Sequence, residues 1–128
     1  MTQSSMRTPL GKVRGLGATG GTKTFWRERV SGVAMLPLTV VFVFVVLALQ
    51  GATHAEAVAL LASPLVAIPM IAAVAVTAWH MKLGMQVIIE DYVHTEPARI
   101  LLVMANSFFS VLVGLAGVFA LLKIAFGG

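Results

Sequence analysis

Three long apolar runs occupy most of the chain and restrict what it can fold into. They cover approximately residues 33–50, 58–90 and 98–123, and few charged residues lie within them. A membrane-spanning helix needs roughly 17–25 consecutive, mainly apolar residues. In lipid only helices and closed barrels satisfy every backbone polar group internally. The sequence therefore predicts an all-α membrane protein with three transmembrane helices.

The composition excludes an ordinary water-soluble domain. Of the 128 residues, 59% are hydrophobic and 11% are charged, whereas a typical globular chain has about 25% charged residues. This length leaves no room for a separate soluble catalytic domain. The chain has no cysteine, so it cannot itself ligate an iron–sulfur cluster or carry out thiol chemistry.

The basic residues are concentrated before the first apolar run and predict the orientation in the membrane. Residues 1–29 are basic and glycine-rich, with Glu28 as their only acidic residue, whereas residues 50–56 contain no Lys or Arg. Positive charge marks the cytoplasmic side, so we expect the N-terminus inside and the C-terminus outside. Residues 1–29 are interpreted as a flexible cytoplasmic arm rather than a nucleic-acid-binding segment. Ser31 and Gly32 are interpreted as interface residues.

The second apolar run is longer than a membrane requires. It has no obvious end between Ala57 and Tyr92, and a helix of that length exceeds the hydrocarbon core of about 30 Å, so it must tilt or protrude. Pro64 is expected within its first turns. Pro97 ends the following turn and can open the third helix.

His80 is the strongest functional signal, because it lies inside the second run. Ionisable residues within a membrane span are costly and usually functional. At about 100° per residue, one stripe of the helix is formed by His80, Gly84, Val87 and Asp91. Gly84 leaves space for a flat group against the backbone. A haem fits this pattern, since a neutral imidazole nitrogen can ligate iron. The alternative is a histidine hydrogen-bonded to a neighbouring helix.

A haem held by His80 would need a second axial ligand and a counter-charge for its propionates. His54 and His94 fall in predicted loops, so a six-coordinate haem would take its other ligand from a partner subunit. This chain alone should not bind haem tightly. Arg29, at the inner end of the first helix, can bind a propionate. Arg27 competes for that role, and an ordinary positive-inside arginine explains Arg29 equally well.

Asp91 and Tyr92 place a carboxylate beside a phenol at the inner end of the second helix. The phenol can donate a hydrogen bond to a quinone carbonyl, and the carboxylate can relay protons. From spacing alone, an interfacial tyrosine beside a solvated acid is the favoured interpretation. Lys82 lies about 200° around the helix from His80, and no site is assigned to it.

Taken together, these residues resemble a known family. His80 is followed by Gly84 and then by Asp91 and Tyr92, and Arg29 opens the first of three predicted helices. This pattern resembles the hydrophobic membrane anchor subunits of bacterial succinate dehydrogenase, the D-type chains of complex II. The resemblance covers the chain from about residue 26 onward.

The resemblance implies specific roles for these residues. His80 would be one axial ligand of haem b, and the companion cytochrome b556-type anchor subunit would supply the other. Arg29 would contact a haem propionate. Tyr92 would hydrogen-bond ubiquinone, with Asp91 beside it.

The resemblance also implies partners and a location. The chain would dock the iron–sulfur subunit and the flavoprotein subunit, which alone carry the iron–sulfur clusters and FAD, to the bacterial inner membrane. It would be a multi-pass, non-catalytic anchor subunit of succinate:ubiquinone oxidoreductase, with no activity alone.

Two other functions compete with this interpretation. A small transporter would need an acidic residue within a span, but the acidic residues lie at the ends of the runs or in loops. A cofactor-free scaffold or assembly subunit would use His80 only for packing.

Overall fold

The computed structural model describes residues 21–127, which form four α-helices and no strand. The helices are α1 (Gly21–Leu49), α2 (His54–Ala62), α3 (Pro64–Tyr92) and α4 (Glu96–Ala125). Three of them are long and apolar enough to cross a membrane, over Phe25–Leu49, Pro64–Tyr92 and Glu96–Ala125. The prediction of an all-α protein with three transmembrane helices is therefore confirmed.

α3 is the central helix of the bundle. It packs along α4 on one side and along α1 on the other, while the short α2 contacts both α3 and α4. The innermost apolar cluster consists of Val45, Met70 and Leu121, one residue from each long helix. The partly buried Leu60 and Leu61 of α2 pack against this cluster. α2 therefore covers one end of the three-helix core.

The prediction of one continuous helix from about residue 58 to residue 90 is wrong at its beginning. The chain breaks at Ser63, which ends α2 and precedes α3, with the extended dihedral angles φ −63° and ψ 129°. Proline disfavours the helical conformation of the residue before it and is well suited to the first helical position. Pro64 therefore starts α3 instead of lying within an existing helix.

The loop between α1 and α2 is shorter than the predicted connection of residues 50–56. The chain leaves α1 through Gly51, whose φ of +74° lies in the left-handed region that glycine adopts without strain. Thr53 then caps α2, which begins at His54. Residues predicted as loop thus already form the first turn of a helix.

The predicted flexible arm of residues 1–29 also differs from the structure in its last part. Residues 21–29 belong to α1 and are helical, so this helix begins well before the predicted span of residues 33–50. The rest of the arm, residues 1–20, lies outside the described residues. The early start gives α1 a polar, basic first section followed by a membrane-length apolar one.

Much of the apolar surface of the long helices is left uncovered by residues 21–127. Only 6% of the most apolar window of α1 is buried, compared with 22% for α3. Large exposed side chains of α1 include Leu36, Phe44 and Val33. Apolar surface on this scale needs lipid or another protein to cover it.

Candidate functional site

His80 of α3 lies against α1, where its ring meets a buried serine. The distance from His80 Nδ1 to Ser31 Oγ is 2.7 Å, and Ser31 has no exposed surface. Ser31 Oγ also donates a hydrogen bond to the backbone carbonyl of Glu28, at 2.9 Å. The polar partner that a membrane histidine requires is therefore supplied by the neighbouring helix, as the alternative interpretation of His80 anticipated.

The contact with Ser31 uses only one of the two ring nitrogens of His80. None of the side chains that the structure describes forms a hydrogen bond with Nε2, and this atom is not a buried unsatisfied group. Nε2 is therefore accessible and has no partner among the described side chains. A neutral imidazole can ligate a metal through one nitrogen while the other is hydrogen-bonded.

The helix surface beside His80 has room for a flat group. A methyl group built on Gly84, one turn further along α3, would meet no atom within 4 Å. A methyl group built on Gly32 of α1 would lie 3.8 Å from His80 Cε1, an ordinary contact distance. One available nitrogen and an open glycine surface fit a haem that takes a single axial ligand from this chain.

Arg29 lies on the same helix as Ser31 but on a different face. The guanidinium carbon of Arg29 is 4.4 Å from the centre of the Phe25 ring, which gives a cation–π contact. On an ideal helix Arg29 lies about 200° around from Ser31, whereas Arg27 lies only about 40° away. The structure does not bring Arg29 into hydrogen-bond contact with His80.

Asp91 and Tyr92 are the last two residues of α3. Both are exposed, and 77% of the Tyr92 surface is accessible. Tyr92 is about 18 Å along the helix axis from His80, at about 1.5 Å per residue. The phenol and the carboxylate are therefore well separated from the histidine and open to a group outside this chain.

The hydrogen bond that the structure shows at Lys82 involves its backbone carbonyl and not its side chain. Asn106 Nδ2 of α4 donates a hydrogen bond to the Lys82 carbonyl at 2.9 Å. On the next turns of α3, Gln86 Nε2 donates to Glu90 Oε1 at 2.8 Å. These bonds lie on the α4 side and the outer surface of α3, away from the contact between His80 and Ser31.

The sequence predicts Ser31 only as an interface residue and does not reveal its contact with His80. The structure buries it completely. A serine that is buried between helices needs a hydrogen-bond partner, but the sequence does not show which residues of α1 face α3.

The chain is similar in sequence to known proteins. It matches the model of the succinate dehydrogenase/fumarate reductase transmembrane subunit family over residues 4–114. It is similar to a protein of Rickettsia bellii (strain RML369-C), the succinate dehydrogenase hydrophobic membrane anchor subunit. The two are 28% identical over 95 residues, which cover 74% of this chain and 76% of that protein. No solved structure matches the chain.

Proposed function

The chain belongs to the succinate dehydrogenase/fumarate reductase transmembrane subunit family, and we propose that it supplies one axial ligand of haem b and part of the quinone site of complex II. It is a multi-pass membrane protein and a membrane anchor subunit of this enzyme class. The proposal concerns the finer roles of its residues and of its partners.

The haem proposal rests mainly on the two different environments of the His80 ring nitrogens. Nδ1 is hydrogen-bonded to Ser31 on α1, while Nε2 is accessible and has no partner among the described side chains. A histidine that only joined two helices would be satisfied by the same bond, so a cofactor-free scaffold is the competing function. The open surface at Gly84 favours the haem, because a purely structural contact gives no reason for that space.

The second axial ligand would come from another subunit. The chain has three histidines. Of the other two, His54 begins α2 and His94 lies in the loop before α4, and both are exposed. Neither is placed to share an iron atom with His80. The companion anchor subunit of the complex is the proposed source.

A bound haem would supply one-electron redox chemistry, and residues of this chain would hold and orient it. His80 would ligate the iron, and Gly84 would leave room for the macrocycle. Arg29 is the proposed partner of a propionate, because a guanidinium pairs well with carboxylates.

The quinone proposal concerns the exposed end of α3. The Tyr92 hydroxyl would donate a hydrogen bond to a quinone carbonyl, and Asp91 would carry protons to the reduced oxygen. With the N-terminus inside, this end of α3 faces the cytoplasm, where the iron–sulfur and flavoprotein subunits would dock. The exposed position of both side chains supports this assignment, since a quinone must reach them from outside the bundle.

Substitution of His80 in the co-expressed complex tests the haem proposal. We expect His80→Ala to assemble with its partners but to lose the reduced-minus-oxidised haem b spectrum. The matched control is His94→Ala, which removes an exposed loop histidine and should keep the full spectrum. A His80→Ala complex with wild-type haem content and spectrum would favour the scaffold function.

A further inference from the structure

The contacts of Ser31 determine which nitrogen of His80 carries the proton. A serine hydroxyl has one proton to donate and two lone pairs to accept with. Ser31 Oγ lies 2.9 Å from the carbonyl oxygen of Glu28 and 2.7 Å from His80 Nδ1. A carbonyl oxygen can only accept, so the hydroxyl proton is donated to Glu28. Nδ1 must then be the donor in the bond to Ser31.

If Ser31 donated its proton to His80 instead, fewer polar groups would be hydrogen-bonded. If the hydroxyl donated to Nδ1, the oxygens of Ser31 and Glu28 would face each other at 2.9 Å with no proton between them. The ring proton would then be on Nε2, for which the described part of the chain offers no acceptor. The first arrangement makes two hydrogen bonds and the second makes only one. In an apolar environment this difference decides the tautomer, because an unpaired polar group is costly there.

We propose that Ser31 is a positioning residue for iron ligation, which holds His80 as the neutral tautomer protonated on Nδ1. The lone pair of Nε2 is then available to ligate iron. This inference rests on the proposed role of His80 as a haem ligand and adds the residue that prepares it for that role.

The burial of Ser31 makes this arrangement stable. Ser31 has no exposed surface, so neither water nor a lipid headgroup can replace His80 as its partner. The imidazole is attached to α3 by its own side chain and to α1 through Nδ1, which restricts rotation of the ring. A hydrogen bond at the remote nitrogen also makes the ligating nitrogen more basic. The more basic ligand favours ferric over ferrous iron and lowers the midpoint potential of the haem.

The tautomer can be measured without haem. The full chain, prepared with isotopically labelled histidine in lipid bilayers, contains three histidines, and His80→Ala identifies the signal of His80. Solid-state nitrogen NMR at neutral pH should show His80 protonated on Nδ1 and unprotonated on Nε2. Protonation on Nε2 would overturn the inference, whatever the outcome for haem.

The positioning role is measured in the co-expressed complex. We expect Ser31→Ala to weaken haem retention by roughly tenfold or more and to raise the haem midpoint potential. Ser31→Thr keeps the hydroxyl and should restore both properties. Ser110→Ala removes another buried serine, in α4, and should change neither.

The outcomes separate the two proposals. Wild-type retention and potential in Ser31→Ala would overturn the role of Ser31 while leaving His80 as the ligand. Retention of haem by His80→Ala would overturn the proposed function, while the tautomer result would still stand. If Ser31→Ala does not assemble, the Ser31→Thr variant and the NMR measurement test the inference instead. Loss of haem from an assembled Ser31→Thr complex would count against the inference.

Discussion

Gly117 of α4 approaches Val74 of α3 so closely that a methyl group on Gly117 would lie 2.6 Å from Val74 Cγ1. A valine on a helix has one strongly preferred rotamer, so Val74 cannot easily turn away. Small residues that allow such close approach are a main source of helix association in membranes. The glycine is therefore part of what joins α3 to α4.

We expect Gly117→Ala to destabilise the bundle by about 1–3 kcal/mol, the usual cost of overpacking a well-packed contact. The measurement is the free energy of unfolding in mixed detergent micelles. Gly84→Ala is the matched control, because a methyl group there meets no atom within 4 Å and should cost nothing in packing. Equal loss of stability in both variants would show that the contact with Val74 is not the cause.

Asn106 joins the same two helices by a hydrogen bond to the backbone of Lys82. Hydrogen bonds between membrane helices contribute about 0.6 kcal/mol on average and up to about 1.7 kcal/mol. Asn106→Leu should therefore lower the unfolding free energy by an amount in this range. Met104→Leu, on the exposed side of α4, is the control and should have little effect. A stabilised Asn106→Leu would mean that the bond does not offset its desolvation cost.

The midpoint potential of the haem can show whether Arg29 or Arg27 binds a propionate. If Arg29 binds a propionate, Arg29→Gln removes a positive charge near the haem and should lower its midpoint potential, since a positive charge favours the reduced form. Redox titration of the purified complex measures this shift. Arg27→Gln is the matched control and should leave the potential unchanged. A shift in Arg27→Gln alone would transfer the role to Arg27, which lies on the face of α1 nearer to Ser31.

Tyr92→Phe tests the quinone proposal, because it removes only the hydroxyl of an exposed side chain. Loss of one hydrogen bond of about 1.4 kcal/mol should reduce quinone reduction by about tenfold. Succinate oxidation by artificial acceptors should persist, since those acceptors bypass the quinone site. Equal loss of both activities would indicate impaired assembly instead of a missing contact with quinone.

The beginning of α2 should be sensitive to acid. The Thr53 backbone N–H donates to Glu56 Oε2 at 2.8 Å, and Thr53 Oγ1 accepts from the Glu56 N–H at 3.2 Å. Hydrogen bonding to the carboxylate, first by the backbone N–H of Thr53 and then by its side chain, holds the pKa of Glu56 below its ordinary value. Because the pKa is depressed in the folded state, the stabilisation is complete above the ordinary glutamate pKa. It is lost as the pH falls through the lowered value.

Hydrogen exchange measures this effect at the first amides of α2. We expect their protection factors to fall as the pH drops below the ordinary glutamate pKa of 4.5 and through the lowered value, as Glu56 is protonated. Glu56→Gln keeps a side-chain acceptor without a titrating charge, so its protection should not depend on pH in this range. The same pH dependence in Glu56→Gln would assign the effect to another group.

The three spans could be predicted because hydropathy is a property of each segment by itself. The break at Ser63 follows from a local rule for the residue before proline, but the continuous apolar composition on both sides concealed it. His80 could be singled out because a polar residue in lipid is conspicuous. Its contact with Ser31 could not be predicted, because the contact depends on the axial register between α1 and α3. The position of Arg29 relative to Ser31 could not be predicted either. It follows from helical spacing only because α1 begins at Gly21 and includes both residues.

The unequal connections between the long helices allow α3 and α4 to pair without α1. Only residues 93–95 separate α3 from α4, so these two helices can form a hairpin as soon as both have entered the bilayer. α1 is separated from α3 by a loop of residues 50–53, by α2 and by the break at Ser63, and it buries little of its own surface. It can therefore be the last of the three long helices to pack, and Ser31 would reach His80 only at that step. The imidazole of a newly made chain would stay loosely held until that final docking event.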